Sequence, residues 1–203
     1  MEAVESAAGE DRIYAFGVAG EAARGQLGPG DLAMMGGKYW YVVYRSRAED
    51  LLAVLKADLP ERFRIMDEES GRELAALRVV VDEVGANAFS SHFCLTYPAD
   101  GKVKDKLEAL EFYQVKGGDY VRCFTVQGHL YASPKAVAED YRFKAVVPVA
   151  LFKREYRERR GVGRAIGKAL LTPVTMAADA VGAVTVYPAA ALAIQASGGI
   201  NVM

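Results

Sequence analysis

The chain has few of the residues on which catalysis, metal binding and disulfide scaffolds depend. It contains only two histidines, His92 and His129, two cysteines, Cys94 and Cys123, and a single tryptophan, Trp40. Two cysteines are too few for a zinc site or a disulfide-rich scaffold. They form either two buried thiols or, if their strands are neighbours in an oxidising compartment, one bridge. We expect no metal and no cofactor.

The chain also lacks an excess of either charge. Its 25 lysines and arginines oppose 26 aspartates and glutamates, which leaves a net charge of −1. Such a molecule has no overall field to attract a polyanion, so a nucleic-acid partner is not expected. The 203 residues suffice for one buried core.

Familiar ligand-binding motifs are missing as well. Gly161, Gly163 and Gly167 follow a predicted strand, but no later parallel strand ends in the acidic residue of a dinucleotide site. Ala169 stands where a phosphate loop requires Ser or Thr. The acidic turn at residues 67–69 lacks the ligand spacing of a calcium loop. These stretches predict glycine turns and a solvated loop.

The amino terminus has no signal-peptide pattern. Residues 1–12 are acidic and polar where a signal peptide has a basic region followed by an apolar one. This favours a cytoplasmic protein, although the same residues would also begin a mature protein from which a leader had been removed. We expect residues 1–12 to be flexible, residues 13–197 to form a single domain, and residues 198–203 to be a flexible tail.

The pattern of apolar residues predicts an α+β fold with a mainly antiparallel sheet. Ser46 and Glu49 form a capping box at the start of a Leu-rich helix that ends at Pro60. Strands are predicted where β-branched and aromatic residues alternate with polar ones, and a turn at residues 85–88 predicts a hairpin. These strands cover residues 13–19, 38–44, 63–66, 77–84, 89–97, 120–131 and 143–152.

The last third of the chain is rich in Ala, Val and Leu. Residues 165–196 approach transmembrane length, but Asp179 is costly in lipid, and Pro173 and Pro188 interrupt the backbone. We therefore predict an apolar helical segment that packs on the sheet. In this prediction Pro173, Asp179 and Pro188 have structural roles.

Aromatic and cationic side chains are the candidates for binding another protein, because such residues dominate interface energies. An aromatic run lies near residue 40, and a charged cluster spans residues 153–160. The cluster can also be a solvated strand end or a contact for anionic lipid headgroups. The candidate partner-binding residues are Tyr39, Trp40, Tyr41, Tyr44, Arg154, Tyr156, Arg157 and Arg159.

His92 is the residue from which a catalytic alternative can be built. It follows Ser90 and Ser91 and precedes Cys94 by two positions, so on a strand it could touch the cysteine. No nucleophile elbow and no orienting acid accompany it. A hydrolase that uses His92 remains a second alternative.

Pro173-Val-Thr175, Asp179 and Pro188, which follow a strand-rich body, resemble the carboxy-terminal pattern of YidX-like bacterial envelope lipoproteins. The pattern is also similar to that of small lipoproteins of the YceK type. The resemblance implies a periplasmic location and brings no known activity and no catalytic residues. The chain departs from these lipoproteins because it has no lipobox cysteine.

From these observations we expect a non-catalytic protein of the bacterial periplasm that binds another protein, with a membrane anchor in a longer precursor as one variant. A concrete form is an immunity protein that neutralises a secreted antibacterial lipase. The first alternative is a structural protein, similar to the lipoproteins, at the membrane surface.

Overall fold

A computed structural model describes residues 2–21, 27–57, 59–82, 87–98, 102–133, 146–157, 174–175 and 184–186. These residues form eleven strands and two helices. The strands are β1 Glu2–Ala19, β2 Leu32–Gly36, β3 Tyr39–Val43, β4 Arg64–Met66, β5 Leu77–Asp82, β6 Ala88–Tyr97, β7 Tyr113–Gln114, β8 Tyr120–Ala132, β9 Val147–Arg157, β10 Val174–Thr175 and β11 Val184–Val186. The helices are α1 Arg45–Lys56 and α2 Lys104–Ala109.

All of these strands belong to one sheet that closes on itself. Consecutive neighbours are β10, β8, β3, β2, β1, β9, β5, β6 and β4. Strand β8 also pairs with β6, so seven strands from β8 round to β6 form a complete ring. Of the ring pairings only β5 with β9 is parallel. The short strands β4, β7, β10 and β11 attach to ring members.

The main core fills the inside of this ring. Alternate side chains of each strand point inward, as the pleat of a strand requires. The helix α1 adds Leu51 and Leu55, which line a small apolar cavity of about 40 Å³ together with inward residues of six strands. These core side chains are buried and make continuous apolar contact, which is the main source of stability for a sheet of this kind.

The start of α1 is held by a side chain from a distant loop. Asp31 Oδ1 accepts a hydrogen bond from the Arg45 backbone N–H at 2.9 Å, and Oδ2 accepts one from the Gly28 N–H at 2.8 Å. The predicted Leu-rich helix is confirmed, but its predicted capping box is wrong. Tyr44 precedes the helix and makes no side-chain cap, so Asp31 supplies the acceptor that Ser46 was expected to supply.

Asp11 joins β1 to the turn between β2 and β3. Its side chain is 7% exposed, and its two oxygens accept four hydrogen bonds at 2.8–3.1 Å. A Cβ on Gly36 would lie 2.4 Å from Asp11 Oδ2, so glycine is needed for the carboxylate to reach the turn. The donors are the backbone N–H groups of Arg12, Lys38 and Tyr39 and the hydroxyl of Tyr41.

The α+β prediction is wrong, because the structure is predominantly β-sheet and has only two helices in its described part. The predicted helical segment near the carboxy terminus is also wrong. Residues 174–175 and 184–186 pair as strands with β8 and β1 instead. Pro173, Asp179 and Pro188 lie outside the described residues. Neither described helix combines the length and hydropathy needed to cross a membrane.

We expected residues 1–12 to be flexible, but the structure places Glu2 and the residues that follow it in strand β1. The antiparallel pairing of β1 with β9 runs from Glu2, opposite Arg157, to Ile13, opposite Val147. Strand β9 therefore includes residues 153–157 of the charged cluster. The predicted hairpin is confirmed by the antiparallel pairing of β5 and β6. The predicted strand over residues 120–131 is confirmed as β8.

We predict that Asp11→Asn lowers the free energy of unfolding by about 2–3 kcal/mol, because its amide group would face buried donors that lose their acceptor. Tyr41→Phe removes only one donor and should cost about 1 kcal/mol. Urea unfolding at neutral pH measures both values. Equal losses for the two variants would contradict the role assigned to the backbone donors.

Candidate functional site

The outer surface of the ring carries polar side chains across β8, β6, β5, β9 and the first part of β1. These residues alternate with the core residues of the same strands and therefore point outward. We call this surface the polar face. Its polar members are Thr125, Gln127, His129, Ser90, His92, Arg78, Asp82, Arg154, Tyr156 and Glu5, and the apolar residues Ala88, Val80 and Phe152 lie among them.

Glu5 lies between two arginines at the centre of the polar face. Arg154 is directly opposite Glu5 and donates to its Oε1 from Nε at 3.1 Å and from Nη2 at 2.9 Å. Arg78 Nη2 donates to Glu5 Oε2. The guanidinium of Arg78 also lies 4.6 Å from the ring centroid of Phe152. Three strands are thus linked by one charge network.

This arrangement changes the pKa of Glu5. Burial raises the pKa of a carboxyl group, but hydrogen bonds from Arg154 and Arg78, together with their positive charges, outweigh burial here. The pKa of Glu5 is therefore below its ordinary value. The hydrogen bond to Glu5 raises the pKa of Arg154.

Two clefts cross the polar face. The larger has a volume of about 860 Å³ and extends from the acidic turn Asp67–Glu69 past His92 to Glu5. The smaller, of about 290 Å³, lies between Tyr44 and Asp82. Both are lined by Val80, Ser90 and Arg154, so they adjoin each other and form one extended depression.

Two exposed tyrosines lie beside the smaller cleft in fixed positions. Tyr44 is 42% exposed, and its hydroxyl lies 2.6 Å from His129 Nδ1, with the two rings edge to face. Tyr156 is 45% exposed and donates from its hydroxyl to Asp82 Oδ2 at 3.3 Å. Each ring is therefore oriented by a neighbour, while more than two fifths of each residue remains exposed.

The family model described as the YidX N-terminal domain matches residues 2–154. The chain belongs to this family. The predicted YidX-like relationship is thereby confirmed. The match covers six of the seven ring strands and most of β9, and it ends before Pro173, Asp179 and Pro188, so it gives no support to the lipoprotein pattern in the tail. No curated protein and no solved structure matches the chain.

The structure separates the predicted partner-binding residues of this YidX family member into accessible and inaccessible ones. Tyr44, Arg154 and Tyr156 come together at the polar face. Trp40 and Tyr41 are 3% and 0% exposed and cannot reach a partner. Their strand is covered on both sides, because the inward side faces the core and the outward side belongs to a second apolar cluster.

The remaining candidates do not extend the polar face. Tyr39 is partly buried and packs against the main core. Burial and, secondarily, the charge of Asp11 raise its pKa. Arg157 ends β9, but its side chain is not described, and Arg159 lies outside the described residues. Sequence reasoning missed Glu5 and Arg78, because only the register of β1, β9 and β5 brings them to Arg154.

The geometry around His92 does not assemble the predicted nucleophile pair. Cys94 and Cys123 lie opposite each other on β6 and β8 and are joined by a disulfide, so Cys94 is not a free thiol. Ser91 donates its hydroxyl to the Arg78 carbonyl at 2.6 Å. His92 Nδ1 lies 3.1 Å from Thr125 Oγ1. Within the described ranges, no group of three His, Cys, Asp or Glu side chains is placed to hold a metal.

We predict a pH-dependent contribution of Glu5 to stability. Its folded pKa lies below its unfolded value, so ionised Glu5 stabilises the fold above the unfolded pKa, and this effect is lost as the pH falls through the folded pKa. Glu5→Gln should therefore lower the free energy of unfolding by about 1 kcal/mol at pH 7 and by much less near pH 3. Urea titrations at the two pH values measure the difference.

Glu68→Gln is the matched control, because Glu68 is exposed in the acidic turn. It should change stability little at either pH. A Glu5→Gln effect that is the same at pH 3 and pH 7 would contradict the assigned ion pairs.

Proposed function

We propose that this protein is a non-catalytic binding protein of the bacterial envelope and that it contacts another protein through the polar face. The observation that carries the proposal is one continuous depression that is lined by Tyr44 and Arg78 and bordered by Tyr156, whose hydroxyl donates to the lining residue Asp82. Tyrosine and arginine are enriched among the residues that dominate binding energies. An extended depression of this kind suits a protein surface or a segment of a partner chain.

The side chains of the polar face are oriented before a partner arrives. Arg78 is fixed by Glu5 and Phe152, while Asp82 holds Tyr156. Binding then costs less side-chain entropy, because these groups have already lost much of their freedom in the free protein. This favours binding through residues that need little rearrangement.

A periplasmic location is part of the proposal. The Cys94–Cys123 bridge supports it, because disulfides persist mainly in oxidising compartments such as the bacterial periplasm. Within that compartment, the specific form we propose is an immunity protein that occupies a secreted antibacterial lipase and blocks it. In this form the polar face covers the effector surface, and no bond is broken by this chain.

Photochemical cross-linking in living cells tests the binding function. Replacing Tyr44 or Tyr156 with p-benzoylphenylalanine should yield one discrete cross-linked partner on irradiation, the same at both positions. The control places the same group at Tyr113, which is 57% exposed on β7, outside both clefts. No adduct at residues 44 and 156, or identical adducts at all three positions, would exclude the polar face as the interface.

We predict that Tyr156→Ala weakens the affinity for that partner at least tenfold, because truncating a hot-spot tyrosine costs about 2 kcal/mol or more and every 1.4 kcal/mol corresponds to about a factor of ten. Tyr113→Ala should leave the affinity within twofold. Calorimetric titration of the purified pair measures both values.

For the immunity form, co-expression with an effector encoded beside it should restore growth with the unaltered chain and Tyr113→Ala, and less well with Tyr156→Ala.

A further inference from the structure

The Cys94–Cys123 bridge joins two neighbouring strands that a hydrogen-bonded ladder already holds together. The two cysteines lie directly opposite each other in the antiparallel pairing of β6 with β8, which extends over residues 88–97 and 120–129. A bridge in this position ties together no parts of the fold that would otherwise separate. Breaking its sulfur–sulfur bond therefore leaves the ten residue pairs of the ladder in register.

The bridge lies on the outer surface of the ring, beside the polar face. Phe93 and Phe124, which adjoin the two cysteines in the sequence, belong to the main core. Because side chains alternate along a strand, Cys94 and Cys123 point outward. Thr125, two residues further along the same side of β8, is exposed and belongs to the polar face. The bridge is thus at the surface and not in the core.

The two cysteines differ in accessibility. Cys94 is 5% exposed, and Met66 of β4 lies opposite it on the side away from β8. Cys123 is only half-buried. On the side of β8 away from β6, no described strand pairs with residues 122–127, because β7 pairs only before this stretch and β3 only after it. A reagent can therefore approach Cys123 from that side.

The direction of approach matters for thiol–disulfide exchange. The incoming thiolate attacks one sulfur from the side opposite the sulfur that leaves. Because the bridge runs between β8 and β6, attack on the Cys123 sulfur comes from the open side of β8. Attack on the Cys94 sulfur comes from the side on which Met66 lies. Access therefore favours the Cys123 sulfur, with Cys94 as the leaving group.

We propose that the Cys94–Cys123 bridge is a thiol–disulfide exchange site that accepts two electrons from a dithiol protein while the ring stays folded. A thiolate of the dithiol attacks Cys123 Sγ and forms a mixed disulfide. The bond to Cys94 Sγ breaks, and Cys94 leaves as a thiolate that takes a proton from water. The second thiolate of the dithiol then attacks the dithiol sulfur of the mixed disulfide and releases the Cys123 thiolate. The dithiol becomes a disulfide, and this chain gains two thiols.

This exchange goes beyond the proposed binding function and does not depend on it. In an oxidising compartment the bridge persists, but an accessible sulfur still reacts with a dithiol protein there more readily than an enclosed one. The mixed disulfide holds that protein at the end of the polar face near Thr125. The step is stoichiometric, since one chain oxidises one dithiol.

Reduction of the intact protein by dithiothreitol tests whether the bridge opens in the folded state. Free thiols are blocked with N-ethylmaleimide at intervals and counted by mass spectrometry. At neutral pH the rate should lie within about a hundredfold of the rate in concentrated guanidinium chloride, because the Cys123 sulfur is accessible in both. The far-UV circular dichroism should stay that of the oxidised protein. A rate lower than this, or loss of the sheet signal on reduction, overturns the proposal.

Single-cysteine variants test which sulfur is attacked. With oxidised glutathione, Cys94→Ser should form a mixed disulfide through Cys123 at least about tenfold faster than the matched variant Cys123→Ser forms one through Cys94. Circular dichroism of both variants should match that of the unaltered chain. Equal rates, or a faster reaction at Cys94, contradict the assigned direction of exchange and overturn the proposal.

The unaltered chain answers the same question if either variant does not fold. Acid quenching during reduction by glutathione traps the mixed disulfide, and peptide mapping locates it. Glutathione should be found on Cys123. Glutathione found mainly on Cys94 would assign the attack to the enclosed sulfur and overturn the proposal.

Discussion

The pairing of β8 with both β3 and β6 is the constraint on which the structure depends. Gly128 lies where the two ladders overlap, opposite Val43 on one side and Phe89 on the other. A Cβ at residue 128 would lie 1.8 Å from the Val42 carbonyl oxygen, which is backbone and cannot move aside. Glycine therefore permits the close approach that closes the ring. Without that closure the core side chains of seven strands would lose their common interior.

Closure also determines which residues are available for function. In a closed sheet the inward half of the side chains of each strand forms the core, so only the outward half can bind a partner. This outer half differs around the ring. Over the second half of β1 and over β2 and β3 it is apolar and buried, including Met35 and Trp40. Over β8, β6, β5 and β9 it is polar, and this difference places the candidate site.

Much of the local structure could be predicted from the sequence, because its signals are local. The helix α1, the hairpin of β5 and β6, and strand β8 each follow from a run of apolar residues with a clear period. The segment at residues 2–12 gives no such signal, since its alanines, glutamates and glycine have low strand propensity. It is a strand because β9 supplies its hydrogen-bond partners. The Ala- and Val-rich tail is compatible with both the helical and the strand period of apolar residues, and the prediction of a helix there was wrong.

The candidate site was less predictable than the fold, because its residues are distant in the chain. Glu5 and Arg154 are 149 positions apart, and Arg78 joins them only through the parallel pairing of β5 with β9. Residue type alone favoured Trp40 and Tyr41 as contacts, whereas strand direction buries both. Tyr44 lies one residue past the end of β3 and escapes that burial. Side-chain chemistry thus identified suitable residue types, while sheet register decided which of them share a surface.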